Sequence, residues 1–183
     1  MNDDCNEIQG MKEDERRGYA GLNIDLVNKL RANGFTISSA ESCTGGMFSA
    51  AITDVAGASD IFKRGFVTYS KDAKIEELGV AESTIRRCGV VSSETASEMA
   101  EGARIADSSD IAISITGYSG PDAGEGLKAG VAFIGYSYDD RNGAIRVESG
   151  LSDRKYNRQF FVFSMLRLAN SIMDSWDEQE FYF

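Results

Sequence analysis

The hydrophobic period of this chain switches repeatedly between strand-like and helix-like, and that alternation limits the folds open to it. Leu22, Leu26, Val27 and Leu30 share one helical face, and Gly34 stands where a C-terminal cap belongs. "FTISSAES" (35–42) is short and rich in β-branched and small residues, as a buried strand would be. The glycine pair after it opens "GGMFSAAITDVAG", which reads as a helix. "FKRGFVTYS" (62–70) reads as a strand, and "KDAKIEELGV" as a short helix ending near Gly79. Ser92 or Ser93 can cap a helix beginning "ETASEMAEGA", with Ala96, Met99, Ala100 and Ala103 inward. "DIAISITG" alternates Ile111, Ile113 and Ile115, the period of a strand. "GVAFIGYSY" and "AIRVESGL" flank "DDRNG", where Asn142-Gly143 predicts the hairpin turn. From Asp153 the pattern is helical, with Phe161, Met165, Leu168 and Ile172 on the apolar face. Alternating strands and helices, closed by a hairpin and a long helix, predict an α/β layered domain with a mixed sheet.

At 183 residues the chain suits one domain with a substantial core. Residues 1–18 are polar and aperiodic and read as a flexible arm, 19–175 as the single domain, and 176–183 as a tail. The tail aromatics Trp176, Phe181, Tyr182 and Phe183 suit packing on their own domain, a sister subunit or a partner. No apolar run approaches roughly 18 residues, so no membrane span is expected. The start lacks a signal-peptide layout. A formal net charge of -10 argues against nonspecific binding to nucleic acid or anionic lipid. Cys5, Cys43 and Cys88 are odd in number and scattered, which suggests reduced thiols and a cytoplasmic location.

The chain contains no histidine. Within one chain that excludes a Ser-His-Asp triad, a Cys-His dyad and a His-ligated metal, and with no paired Cys motif no metal site is expected. The remaining bases are Lys, Tyr, Asp, Glu or a thiolate, and a Ser-Lys pairing is one recognised solution.

Four stretches carry side chains suited to chemistry. "SSAESCTGGMF" puts Ser42, Cys43 and Thr44 at a strand end, followed by Gly45 and Gly46 where a helix begins. Backbone N–H groups there suit an oxyanion or phosphate; the alternative is a tight turn with a Ser/Thr cap. It is neither a P-loop nor a G-x-S-x-G elbow. "VTYSKDAK" places Tyr69 near a strand end and Lys71 and Lys74 one helical turn apart, as catalytic groups or as solvated surface charges. "ITGYSGPDAGEG" ends a strand at Thr116 and enters a glycine-rich loop, a ligand loop or a plain connection. Arg154 and Arg158, spaced i, i+4, can clamp a phosphate or carboxylate or stand as surface arginines.

Taken in order, "AESCTGG", "VTYSKDAKIEELGV", "GVVSSETASEMAEGAR", "SITGYSGPDAG" and the "DR…R" helix resemble the CinA C-terminal domain family, from about Leu22 to Ala169. Characterised members of that family include nicotinamide mononucleotide deamidases. The resemblance implies a three-layer α/β/α sandwich and an amidase converting nicotinamide mononucleotide to nicotinic acid mononucleotide and ammonia. It implies Ser42 as nucleophile, Lys74 as base and Tyr69 as a helper hydroxyl. It further implies Thr44, Gly45, Gly46, Thr116, Gly117, Arg154 and Arg158 as substrate-binding residues. No metal or organic cofactor is required by such chemistry, and a homo-oligomer is expected. The sequence departs from the family pattern at Asp122, Glu125 and Leu127, and at Val131 where a threonine often stands. Two other readings stay open: a non-catalytic nucleotide-binding or scaffold protein, and an amidase for another small carboxamide.

Overall fold

The computed structural model describes residues 19–124 and 126–180, and of 177–180 only the helical backbone. The proposed arm at 1–18, Glu125 and the aromatics Phe181, Tyr182 and Phe183 lie outside the described residues. In chain order the elements are α1 (Leu22–Asn33), β1 (Ile37–Glu41), α2 (Met47–Thr53) and β2 (Phe62–Val67). There follow α3 (Lys71–Leu78), α4 (Glu82–Cys88), α5 (Ser93–Asp107) and β3 (Ile111–Tyr118). The chain closes with β4 (Val131–Tyr138), β5 (Arg141–Glu148) and α6 (Arg154–Glu180). The five strands form one sheet in the order β2-β1-β3-β4-β5. β1 pairs in parallel with β2 and β3, while β3, β4 and β5 run antiparallel, so the sheet is mixed as expected.

The sheet is covered on both faces, which makes the α/β/α sandwich. α1, α2 and α6 close one face over Ile37, Ile111, Ile113, Ile115 and Ile134. α3, α4 and α5 close the other over Ala40 and Ala112, with Leu78, Val80, Ile85, Met99 and Ala103. Strand side chains alternate between faces. In β1 that parity sends Ile37, Ser39 and Glu41 toward α2, where Ser39 Oγ lies 3.0 Å from Ser49 Oγ. Ser38 and Ala40 point to the α5 side, and continuation of the parity sends Ser42 the same way.

Residues on the α5 face are small because α5 lies close to the sheet. Ser114 Oγ donates to the Ala96 carbonyl at 2.5 Å, and a Cβ on Gly135 would collide with that carbonyl oxygen. Gly102 plays the same part between helices, since a Cβ there would run into the Leu78 carbonyl at the end of α3. Gly102→Ala is therefore expected to destabilise the protein by about 1–3 kcal/mol, from overpacking against backbone. It should also lower turnover by shifting α3; chemical denaturation and a steady-state assay on the same preparation check both.

Most expected elements stand where the pattern puts them. Gly34 and Gly79 are left-handed C-caps, and Ser92, of the two serines considered, caps α5 by accepting from the Thr95 amide. Three points differ. The hairpin turns at Asp139–Asp140, with Asp139 at φ 52, and Asn142-Gly143 lie inside β5 opposite Ser137 and Tyr136. Cross-strand contacts fix that register: Ser137 Oγ bonds Asn142 Oδ1 at 2.6 Å, and the Tyr136 ring fills the space over Gly143. Helix α4 was not expected. It has only seven residues, no side-chain N-cap, and buries just Thr84 and Ile85, too little pattern to read. Finally, α6 continues across the 175/176 boundary to Glu180, and Trp176 packs on Phe35 and Tyr138 with ring centroids 4.7 and 5.5 Å apart. Among the described residues no helix is long and apolar enough to cross a membrane.

Candidate active site

The parallel strands β1 and β3 end side by side, and the candidate site lies off their carboxyl ends. The Ser42 amide still bonds the Ile115 carbonyl at 3.1 Å, so Ser42 is held as a continuation of the sheet. The chain then turns through Gly45 at φ 60 and Gly46 at φ 91, backbone values that favour glycine, and enters α2. Glu41 fastens this turn. Its buried carboxylate accepts from Thr44 Oγ1 (2.7 Å), the Gly46, Phe48 and Ser49 amides (3.0, 3.0 and 2.9 Å) and Ser49 Oγ (2.7 Å). The chain's own anion thus occupies the start of α2, the place where the sequence suggested an oxyanion or phosphate.

Lys74 approaches from the opposite layer. Ser70 caps α3 by accepting from the Ala73 amide, which sets Lys74 in the first turn, directed back toward β1. Its side chain is 0% exposed. Nζ stands 3.0 Å from Ser42 Oγ and 2.6 Å from the Thr68 carbonyl oxygen. Among the described residues no carboxylate is in contact, and burial lowers the ammonium from a lysine's ordinary 10.5 to about 8. A neutral Lys74 donates one N–H to Thr68 and turns its lone pair to the Ser42 hydroxyl. Cys43, beside the serine, goes the other way: burial pushes its thiol up to about 12, so it carries no thiolate near neutrality.

Ser42 opens on a cleft of about 260 Å³. Cys43, Tyr69, Thr116, Gly117, Asp122 and Arg154 are among the residues that line it, whereas Lys74 does not line it and touches Ser42. A larger groove of about 570 Å³ between α3 and α5 holds none of the expected site residues. Thr116 Oγ1 donates to the Val90 carbonyl at 2.9 Å. Gly117 faces Ala132 so closely that any Cβ would collide, which explains the glycine by sheet packing. Tyr69, 62% exposed, stands on the rim. Arg154 reaches across it, donating to Tyr69 Oη at 3.2 Å and to the Gly120 carbonyl at 3.0 Å.

Thr44, Gly45, Gly46 and Arg158, expected to touch substrate, do not line this cleft. Thr44 is buried on Glu41, the Gly45 amide bonds the Ser42 carbonyl at 3.1 Å, and the Gly46 amide bonds Glu41. Arg158 donates to the Thr44 carbonyl at 2.6 Å and braces the turn from behind. Two contributors went unread in the sequence. Thr68 acts through its backbone carbonyl, which carries no sequence signal. Asn157 is fully buried between the two arginines and donates to the Ser119 and Leu151 carbonyls at 2.9 and 3.0 Å, tying the cleft loop to α6. A polar residue inside an apolar helical face was the available sign.

Fold and site together define an α/β/α sandwich protein with a ligand-sized cleft at the carboxyl ends of its parallel strands, entered by a serine backed by a buried lysine. The chain belongs to the CinA C-terminal domain family, whose model matches residues 20–173. A nicotinamide-nucleotide amidohydrolase, PncC, of Enterobacter agglomerans is 42% identical over 146 residues, covering 79% of this chain and 89% of that protein. A Streptococcus thermophilus protein named for competence-damage induction is 45% identical over 158 residues, 83% of this chain. This chain spans only 37% of that relative's length. Among solved structures, a CinA superfamily protein from Klebsiella pneumoniae superposes with a TM-score of 0.83 at 29% identity, over 86% of this chain and 99% of that one. The competence/damage inducible protein CihA from Agrobacterium tumefaciens gives 0.80 at 33% identity, over 84% and 94%.

Proposed function

We propose that this protein is an amidohydrolase converting nicotinamide mononucleotide to nicotinic acid mononucleotide and ammonia, with Ser42 as nucleophile and Lys74 as base. The observation that carries this reading is the 3.0 Å approach of a fully buried lysine, lowered to about 8, to a serine at the mouth of a cleft. Similarity to the PncC amidohydrolase supports the choice of substrate.

In the reaction, Ser42 Oγ attacks the carboxamide carbon while its proton passes to Nζ of Lys74. The new ammonium stands beside the reacting oxygen and offsets negative charge as it forms. The Gly45 and Gly46 amides are committed inside the turn, so neither is assigned to the oxyanion. Collapse breaks the C–N bond, and Lys74 or Tyr69 protonates the departing ammonia. The Tyr69 oxygen accepts from Arg154, which leaves its own O–H free to donate. Water then attacks the acyl-serine with Lys74 again as base, releasing the carboxylate and restoring Ser42. Of the two arginines, Arg154 lines the cleft and is assigned to the substrate phosphate; Arg158 is assigned to bracing the turn.

Ammonia release from nicotinamide mononucleotide by purified protein tests the proposal. Release is expected from the nucleotide and far less from free nicotinamide, which lacks the phosphate. Binding of the nucleotide with no release sinks the enzymatic reading in favour of a nucleotide-binding protein.

A further inference from the structure

Among the described residues the cleft lining contains one charge of each sign, and they form no ion pair with each other. Arg154 directs Nη1 to the Gly120 carbonyl and Nη2 to the Tyr69 hydroxyl, both uncharged acceptors. Asp122 lines the same cleft, and among the described residues it enters no ion pair. Tyr69 and Tyr118 are the aromatic residues of the lining. A site for a purely anionic ligand gains nothing from a carboxylate in its wall, and a site for a cation gains nothing from Arg154. A ligand with both charges on separate parts suits the two together, and aromatic faces favour a flat cationic ring.

We propose that Asp122 is a specificity-determining residue that selects a positively charged aromatic ring, while Arg154 takes the anionic end of the same molecule. This rests on the amidohydrolase reading, in which the ring is a pyridinium and the anion a phosphate. Asp122 also shields the ring from Arg154, whose charge alone would repel it. Because Asp122 is exposed, solvent screens the effect, and about fivefold in affinity is the expected scale.

The test compares nicotinamide mononucleotide with dihydronicotinamide mononucleotide, which keeps the carboxamide and phosphate but has an uncharged ring. Dissociation constants are measured by calorimetry on the Ser42→Ala protein, so that neither ligand turns over. The cationic ring should bind about fivefold more tightly, Asp122→Asn should bring the ratio to about one, and Asp122→Glu should keep most of it. A ratio unchanged by Asp122→Asn overturns the assignment, as does equal binding of the two nucleotides by the Asp122 protein. Ammonia release by the wild-type enzyme is scored separately. Charge selection without release overturns the amidohydrolase reading alone, and release without charge selection overturns Asp122 alone.

Discussion

Ser42→Ala is expected to abolish ammonia release, by a factor of about 10⁴ or more, and to leave the fold intact. Removing the nucleophile of a hydrolase that works through a covalent intermediate has an effect of this order or larger. The loss is chemical because the change deletes one oxygen whose hydrogen-bond partner in the structure is Lys74, while the Ser42 amide and carbonyl stay in place. Circular dichroism and the denaturation midpoint of the variant should match the wild type closely. Cys43→Ala supplies the contrast. Its thiol is held near 12 by burial, so the variant should retain turnover within about twofold. A large loss there, with activity kept in Ser42→Ala, would mean the neighbouring sulfur does the chemistry.

Lys74→Met has two opposite effects. With Lys74 as general base, turnover should fall by about 10²–10⁴ and the pH profile should change shape. In the wild type kcat/KM should rise with pH through about 8, as Lys74 loses its proton in the free enzyme; the variant should lack that limb. Stability moves the other way. The folded-state pKa is depressed, so between about 8 and 10.5 the unfolded chain binds a proton that the native chain has released, and stability rises with pH across that window. Below it the native protein bears the cost of a buried ammonium, about 3 kcal/mol from the shift, less about 1 kcal/mol for the Thr68 carbonyl that methionine leaves unpaired. The variant should therefore be about 2 kcal/mol more stable than wild type at pH 7, with the gain gone by about pH 10.5. Urea denaturation at three pH values measures it. A variant less stable at pH 7 contradicts a buried lysine whose ammonium is destabilised by desolvation.

How much of this could be read from the chain differs from residue to residue. The isoleucines of β3 alternate because a sheet face demands it, and the sheet follows from them. Ser42 was a candidate because it sits where a strand gives way to glycines, yet its partner lies 32 positions away on a helix whose residues, "KDAKIEEL", look solvent-facing. Nothing local marks Lys74 as buried; the fold encloses its Nζ between Ser42 Oγ and the Thr68 carbonyl. Glu41 was legible only as a letter in a motif. Strand parity, which puts it with Ile37 and Ser39 on the α2 face, makes it the internal anion of the turn. The i, i+4 spacing of Arg154 and Arg158 implied a joint clamp. On α6 that face spans both the cleft rim and the back of the turn after Ser42, so the two guanidiniums part company.

The most direct measurement is the mass of the protein quenched in acid during turnover of nicotinamide mononucleotide, followed by fragmentation of the peptide holding Ser42 and Cys43. A serine nucleophile predicts an adduct equal to the substrate less ammonia, located on Ser42 and absent from Ser42→Ala. An adduct on Cys43, or turnover undiminished in Ser42→Ala, would contradict it.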